Sequence, residues 1–278
     1  MRKTLTFFRK AVKHIVLVFF AFTALVPIYY IISNAFKSEQ EYVSNKFSIP
    51  LSPTIESFII GMKDGQFLTW FMNSILMTIG SVFISTLIAC FAAYAFSRLK
   101  FPGRDLIFNS MISLLAIPIV VIITPLFIFM SRLHLINSRP AAILIYSGIL
   151  IPFAIYLLNN FFITIPQSLF DAAAIDGCSN FQILWRVVFP VARPAIITLT
   201  IINALYVWNE LLIALVFLQS DSQKTLMAGI STFKGLYNVN IPAVMAGIFL
   251  ATIPMIIIYI IGSSNFIKGI LAGSVTGE

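Results

Sequence analysis

Residues 65–97 read GQFLTWFMNSILMTIGSVFISTLIACFAAYAFS, with no Asp, Glu, Lys or Arg between Asp64 and Arg98. A helix needs about 20 apolar residues to cross the hydrocarbon core of a bilayer. Inside lipid every backbone N–H and C=O must find its partner within the segment, so a run of this length is expected to be a transmembrane helix. One face of it is built from small side chains: Ser81, Ser85, Ala89, Ala93 and Ser97 recur at every fourth position. Small residues at that spacing let two helix backbones approach closely in lipid, which makes Ser85, Ala89 and Ala93 candidate helix-packing residues. Trp70, near the start of the run, is expected to be an interfacial aromatic anchor.

Charge-free intervals also cover 14–36, 106–131, 140–170 and 235–267, and a run over 194–218 is broken only by Glu210. The expected fold is all-α, a polytopic membrane protein with six transmembrane helices near 15–35, 70–96, 107–131, 140–163, 195–218 and 243–266. Composition agrees: 59% of the 278 residues are hydrophobic and only 10% are charged, where a soluble domain carries about 25% charged residues. The net charge of +8 does not point to nucleic acid, because the basic residues are scattered between apolar runs instead of clustering on one face. Membrane lipid is the expected surrounding. Cys90 and Cys178 lack metal-ligand or disulfide-framework spacing. His14 and His134 are far apart at expected membrane edges, so no metal site is expected. The third run carries Pro118 and Pro125, seven residues apart and so on one side of a helix. Freed carbonyls and a bend there suit a helix lining a cavity, and a purely structural kink would leave the same signature.

Arg2, Lys3, Arg9, Lys10 and Lys13 precede the first run, as in a secretory signal. That run is about 20 residues, longer than the 7–15 of a signal core, so an uncleaved first helix is expected. With the N-terminus inside, eleven of the eighteen Lys and Arg fall in cytoplasmic segments, and the seven outside (among them Lys63 and Lys234) are diluted by acids such as Asp64. The bias is strongest at the first helix, which places both termini in the cytoplasm. The expected organisation is a basic tail over 1–14 and a single transmembrane domain over 15–278, with a cytoplasmic loop over 164–194.

That loop reads Ile165-Pro166-Gln167-Ser168-Leu169-Phe170-Asp171-Ala172-Ala173-Ala174-Ile175-Asp176-Gly177 and ends near Phe189-Pro190. It predicts a short, well-bounded helix. Pro166 stops the preceding element, and Ser168 with Asp171 three residues on forms an expected capping pair. Ala172 to Ala174 favour helix with little bulk, and Gly177 can take a left-handed C-terminal position. Such a helix can lie in a groove of another protein, its alanines allowing close approach and Leu169, Phe170 and Ile175 supplying apolar anchors.

Asp171-Ala172-Ala173, three residues, Gly177, nine residues, Val187, one residue, then Phe189-Pro190 resembles the EAA motif of binding-protein-dependent ABC importer permeases. That family usually has Glu at Asp171, and Ile and Leu at Val187 and Phe189. Trp70-Phe71-Met72-Asn73-Ser74, Ala92-Ala93-Tyr94-Ala95-Phe96-Ser97-Arg98, Phe101-Pro102-Gly103-Arg104, Trp208-Asn209-Glu210 and Phe266-Ile267-Lys268-Gly269 are similar to the carbohydrate-uptake branch around the smaller maltose permease subunit. The resemblance implies a type I importer permease (MetI-like) fold in the cytoplasmic membrane, with sugar or oligosaccharide as cargo. It implies that Asp171, Ala172, Ala173, Asp176, Gly177 and Pro190 couple the chain to an ATPase. It also implies a second homologous permease subunit, two nucleotide-binding ATPase subunits and an extracytoplasmic solute-binding protein as partners, with ATP bound there and no cofactor on this chain.

Glu210 is the one acid inside an expected span, and an intramembrane charge is a functional candidate by default. With Asn203 and Asn209 it can line a cargo pathway; equally, it can sit near the outer interface and brace a neighbouring helix. The sequence has no GxxxxGK[ST] phosphate loop and no hydrolase constellation, so the chain is not expected to be an enzyme. A permease for another solute remains open. A secondary transporter would need an inverted repeat and paired ion-binding residues, for which only Glu210 stands.

Overall fold

The computed structural model describes residues 2–62, 66–232 and 240–274. Lys63, Asp64 and Lys234, used above for orientation, lie outside them, as do residues 275–278 at the end of the expected transmembrane domain. Among the described residues all regular structure is helical: α1 (Arg2–Ala35), α2 (Glu39–Ser44), α3 (Glu56–Met62), α4 (Gln66–Arg98), α5 (Arg104–Ser113), α6 (Ile119–Arg132), α7 (Arg139–Ile163), α8 (Gln167–Ile175), α9 (Asn180–Ile183), α10 (Phe189–Asn209), α11 (Leu212–Phe217), α12 (Leu226–Ser231) and α13 (Ile241–Ser274). Among the described residues five helices are long and apolar enough to cross a membrane, or six if one bent pair is counted as a single span. The chain divides into two units, Met1–Phe67 with Gly229–Ile253, and Leu68–Ala228 with Pro254–Glu278.

In the first unit, α1 carries apolar side chains over 15–28 that no described residue of the chain covers. Phe36, Phe58 and Phe249 form an aromatic triad with centroids 5.0–6.1 Å apart, beside Ala35 and Ala246. Just past α1, Lys37 is fully buried and donates to Asn34 Oδ1 at 3.2 Å and to the Asn45 carbonyl at 3.0 Å. Burial holds its ammonium below the usual lysine range, with the Glu41 carboxylate pulling the other way.

In the second unit, α4 and α7 run in the same direction and α10 runs against them. At the end carrying α8 and α9, Ala89, Cys90 and Ala93 pack with Ala154, Leu158 and Phe162 and with Ala192, Ala195 and Leu199. At the opposite end Met77 and Val82 pack with Tyr146 and Leu150 and with Ala204 and Val207. The small stripe of α4 is what permits this approach: Ser81, Ser85, Ala89 and Ala93 are all fully buried. Ser81 Oγ donates to the Ile143 carbonyl of α7 at 3.2 Å. Where α13 crosses α10, Gly262 lies so close to Ile201 that a Cβ would overlap it.

Three expectations are corrected. The third crossing is not one helix: α5 with a following 3-10 turn (Leu114–Ala116) meets α6 at a bend of 102°. Pro118 causes it, since its ring drives Ile117 out of helical geometry (φ −88, ψ 114) and leaves Pro118 as the N-cap of α6. Pro118 and Pro125 therefore do not share a helix face. The fifth crossing ends at Asn209, and α11 is a separate helix after a break at Glu210. It also begins early, running as helix from Asn180 through a π-turn at Leu184–Val188 into α10, so much of the expected loop is helical. Finally, Trp70 is not an interfacial anchor: it is buried, with Nε1 donating to the Asp221 carbonyl at 2.8 Å.

Candidate functional site

α8 is bounded by backbone geometry at both ends. Pro166 is its N-cap, with no side-chain cap. The expected Ser168–Asp171 capping pair does not form, because the helix already starts at Gln167 and Ser168 lies inside its first turn. Asp171 Oδ1 accepts from Gln167 Nε2 instead, at 3.0 Å. At the C-terminal end Asp176 is the C-cap and Gly177 takes φ +77. The Gly177 N–H reaches the Ala174 carbonyl and the Cys178 N–H reaches the Ala173 carbonyl, each at 3.0 Å. This pair of bonds is the Schellman arrangement, which satisfies carbonyls a helix end otherwise leaves orphaned. A Cβ at position 177 would meet open space, so the demand for glycine is one of backbone conformation alone.

The helix has two faces. Phe170 and Ala173, three residues apart, are buried against the core. Leu169, Asp171, Ala172, Ala174, Ile175 and Asp176 are exposed, Ile175 by 87%. Phe170, expected among the outward anchors, thus belongs to the inward face. After Gly177, Ser179 opens α9 with a capping box in which Ser179 and Gln182 exchange side-chain and backbone bonds. Pro190, in the first turn of α10, is exposed. The sequence reading missed an aromatic ladder here: Phe181 lies 6.0 Å from Trp185, and Trp185 stacks on Phe189 at 4.5 Å and 3°. Its spacing of four residues was the available signal.

The second group of candidates does not form one site. Asn203 is buried on α10 with its Nδ2 lacking a partner, and it lines a cavity of about 720 Å³ with Tyr206, Gly148 and apolar residues of α6 and α7. Asn209 is exposed and bonds its own helix at the Leu205 carbonyl. Glu210 accepts the Tyr146 hydroxyl of α7 at 2.9 Å and the N–H groups of Ile213 and Ala214 at the start of α11. The geometry is that of a brace at a helix break. Asn73, not singled out above, bonds the Ser222 and Lys224 carbonyls and accepts from Arg139. The Trp70–Ser74 motif thereby holds the segment that follows α11. No His, Cys, Asp and Glu cluster able to hold a metal occurs among the described residues.

The family described as binding-protein-dependent transport system inner membrane component matches residues 85–267. ORF2 of Caldicellulosiruptor sp. (strain Rt8B.4), named for an ABC transporter permease, is 38% identical over 253 residues, 91% of this chain and 92% of that one. The diacetylchitobiose uptake system permease protein of Streptomyces coelicolor is 30% identical over 96% of this chain and 87% of its own length. Among solved structures, a chain of a bacterial ABC transporter involved in import of the acidic polysaccharide alginate superposes with a TM-score of 0.82 at 27% identity, covering 93% of this chain and 96% of that one.

Proposed function

Because this chain belongs to the family of binding-protein-dependent transport system inner membrane components, we propose that it carries a sugar or short oligosaccharide and is driven through α8 by separate ATPase subunits. The chain is a multi-pass permease subunit of an ATP-binding-cassette importer in the inner membrane, a transport component and not an enzyme. The cargo class is supported by the relatives named for diacetylchitobiose and alginate. Both termini lie in the cytoplasm on this reading, which follows the basic bias at the first helix.

The mechanism is alternating access. A solute-binding protein delivers cargo from outside to this chain and a second, homologous permease subunit. Two nucleotide-binding subunits bind and hydrolyse ATP, and their closure moves α8. Asp171, Ala172, Asp176 and the turn at Gly177 belong to the gripped element, while Ala173 fixes it to the core and Pro190 starts the helix that follows. Asn203 is the pathway candidate: it lines the cavity together with Tyr206, and its buried Nδ2 has no hydrogen-bond partner, so it is a donor a sugar hydroxyl could engage while Tyr206 meets the apolar face of the ring. Asn209 and Glu210 lie outside that cavity's lining.

One observation carries the reading: α8 presents an uncovered face of alanine, Leu169 and Ile175 beyond its fixed turn, as a helix seated in a partner's groove requires. The decisive experiment is co-purification in detergent of the chain with its cognate ATPase. Intact chain should retain the ATPase, and deletion of residues 168–177 should lose it while membrane insertion persists. Retention by the deleted chain would sink the assignment. A ligand screen on the cognate binding protein tests cargo; a preference for a non-carbohydrate solute would replace the sugar by that solute.

A further inference from the structure

Arg98, the last residue of α4, reaches both the end of α7 and the start of α8. Its Nη2 donates to the Phe162 carbonyl in the last turn of α7 and, at 2.6 Å, to the Ile165 carbonyl in the link between α7 and α8. Its Nη1 donates to Gln167 Oε1 at 3.1 Å. Its guanidinium carbon sits 4.1 Å from the ring centroid of Phe170 on the buried face of α8. Gln167 continues the chain of bonds by donating to Asp171, the acid of the loop motif. Among the described residues no carboxylate pairs with Arg98, so its charge is met by carbonyl dipoles and an aromatic face.

That choice of partners has a geometric consequence. The last carbonyls of a helix are orphaned and carry the negative end of its dipole, so a cation is held there. A guanidinium is a planar fork that can bond two groups and stack on a ring in one fixed orientation, which an ammonium cannot. Satisfying Phe162, Ile165, Gln167 and Phe170 together therefore fixes the ends of α4 and α7 relative to α8.

We propose that Arg98 is a positioning residue that locks the pitch of α8 to the ends of α4 and α7, so that displacement of α8 moves both membrane helices as one block. The transport consequence rests on α8 being the element driven by the ATPase; the locking itself does not.

Two measurements separate these. In the chain with Cys90 and Cys178 replaced by alanine, spin labels at exposed positions 100 and 175 report the pitch of α8 by their distance distribution. In the complete transporter in proteoliposomes, solute taken up per ATP hydrolysed reports coupling. Arg98→Gln should broaden the distance distribution and lower uptake per ATP by about five-fold or more. Arg98→Lys should recover part of the loss, because an ammonium reaches the carbonyls without holding Gln167 and the ring. Gln167→Ala, at an exposed side chain, should broaden the distribution less. Unchanged distributions in Arg98→Gln overturn the proposal; should that variant not assemble, an unchanged distribution in Gln167→Ala overturns it. A broadened distribution in Arg98→Gln with uptake per ATP unchanged would uphold the lock and refute the driven role of α8.

Discussion

Two helices in the second unit end in opposite ways. α8 ends on its own backbone: Gly177 at φ +77 turns the chain, and two backbone bonds close the last carbonyls. α10 gives way to α11 through a side chain: the Glu210 carboxylate caps the start of α11 and accepts the hydroxyl of Tyr146 from α7. The first device needs no neighbour, so the outer face of α8 stays free to be handled. The second works only while α7, α10 and α11 keep their places, so it ties the far end of the unit to its core. On the proposed reading, force enters at α8 and shape is held at Glu210, and the two kinds of helix end suit that division.

The largest way to break the comparison is at Gly177. A β-branched residue in the left-handed region pays about 1–2 kcal/mol, and Gly177→Val should relieve this by unwinding the last turn of α8. Since 1.4 kcal/mol corresponds to about a factor of ten, uptake should fall about ten-fold while membrane insertion and yield stay unchanged. Proteoliposome uptake with an insertion control checks it, and normal uptake would mean the turn is not needed in the working transporter. Ala172→Trp sharpens the same side. Its site is exposed, so stability should stay within about 0.5 kcal/mol while the co-purified ATPase declines. Equal recovery of the ATPase would remove the alanine face from the contact.

What the sequence showed and what it hid divide along the same line. The spans, the small stripe and the Gly177 turn are legible because each depends on local spacing and on one residue's intrinsic preference. Phe170 was misassigned because an apolar residue on a short helix does not reveal which side the core lies on; the ring of Phe170 faces Arg98 of a helix some seventy residues earlier. Trp70 was misread for the same reason, since its indole bonds Asp221 far along the chain. The bend at Pro118 was half legible: proline signalled a fault in the helix, but its size, 102°, follows from the extended geometry that Ile117 takes before it, which spacing alone does not give.

The remaining test lies at Glu210 and is smaller. Glu210→Ala leaves the buried Tyr146 hydroxyl and the N–H groups of Ile213 and Ala214 without their acceptor. A buried polar group without its partner costs about 1–3 kcal/mol, and at about 2–4 °C per kcal/mol the melting temperature should drop by several degrees. Tyr146→Phe removes only one bond and no acceptor, so its cost should be nearer about 1 kcal/mol. The ordering carries the meaning. If Glu210 is a brace, both variants lower stability and leave uptake per ATP intact, with alanine the worse. If uptake per ATP collapses in Glu210→Ala at unchanged stability, the carboxylate belongs to the transport cycle, and the contrast between a driven end and a fixed end fails.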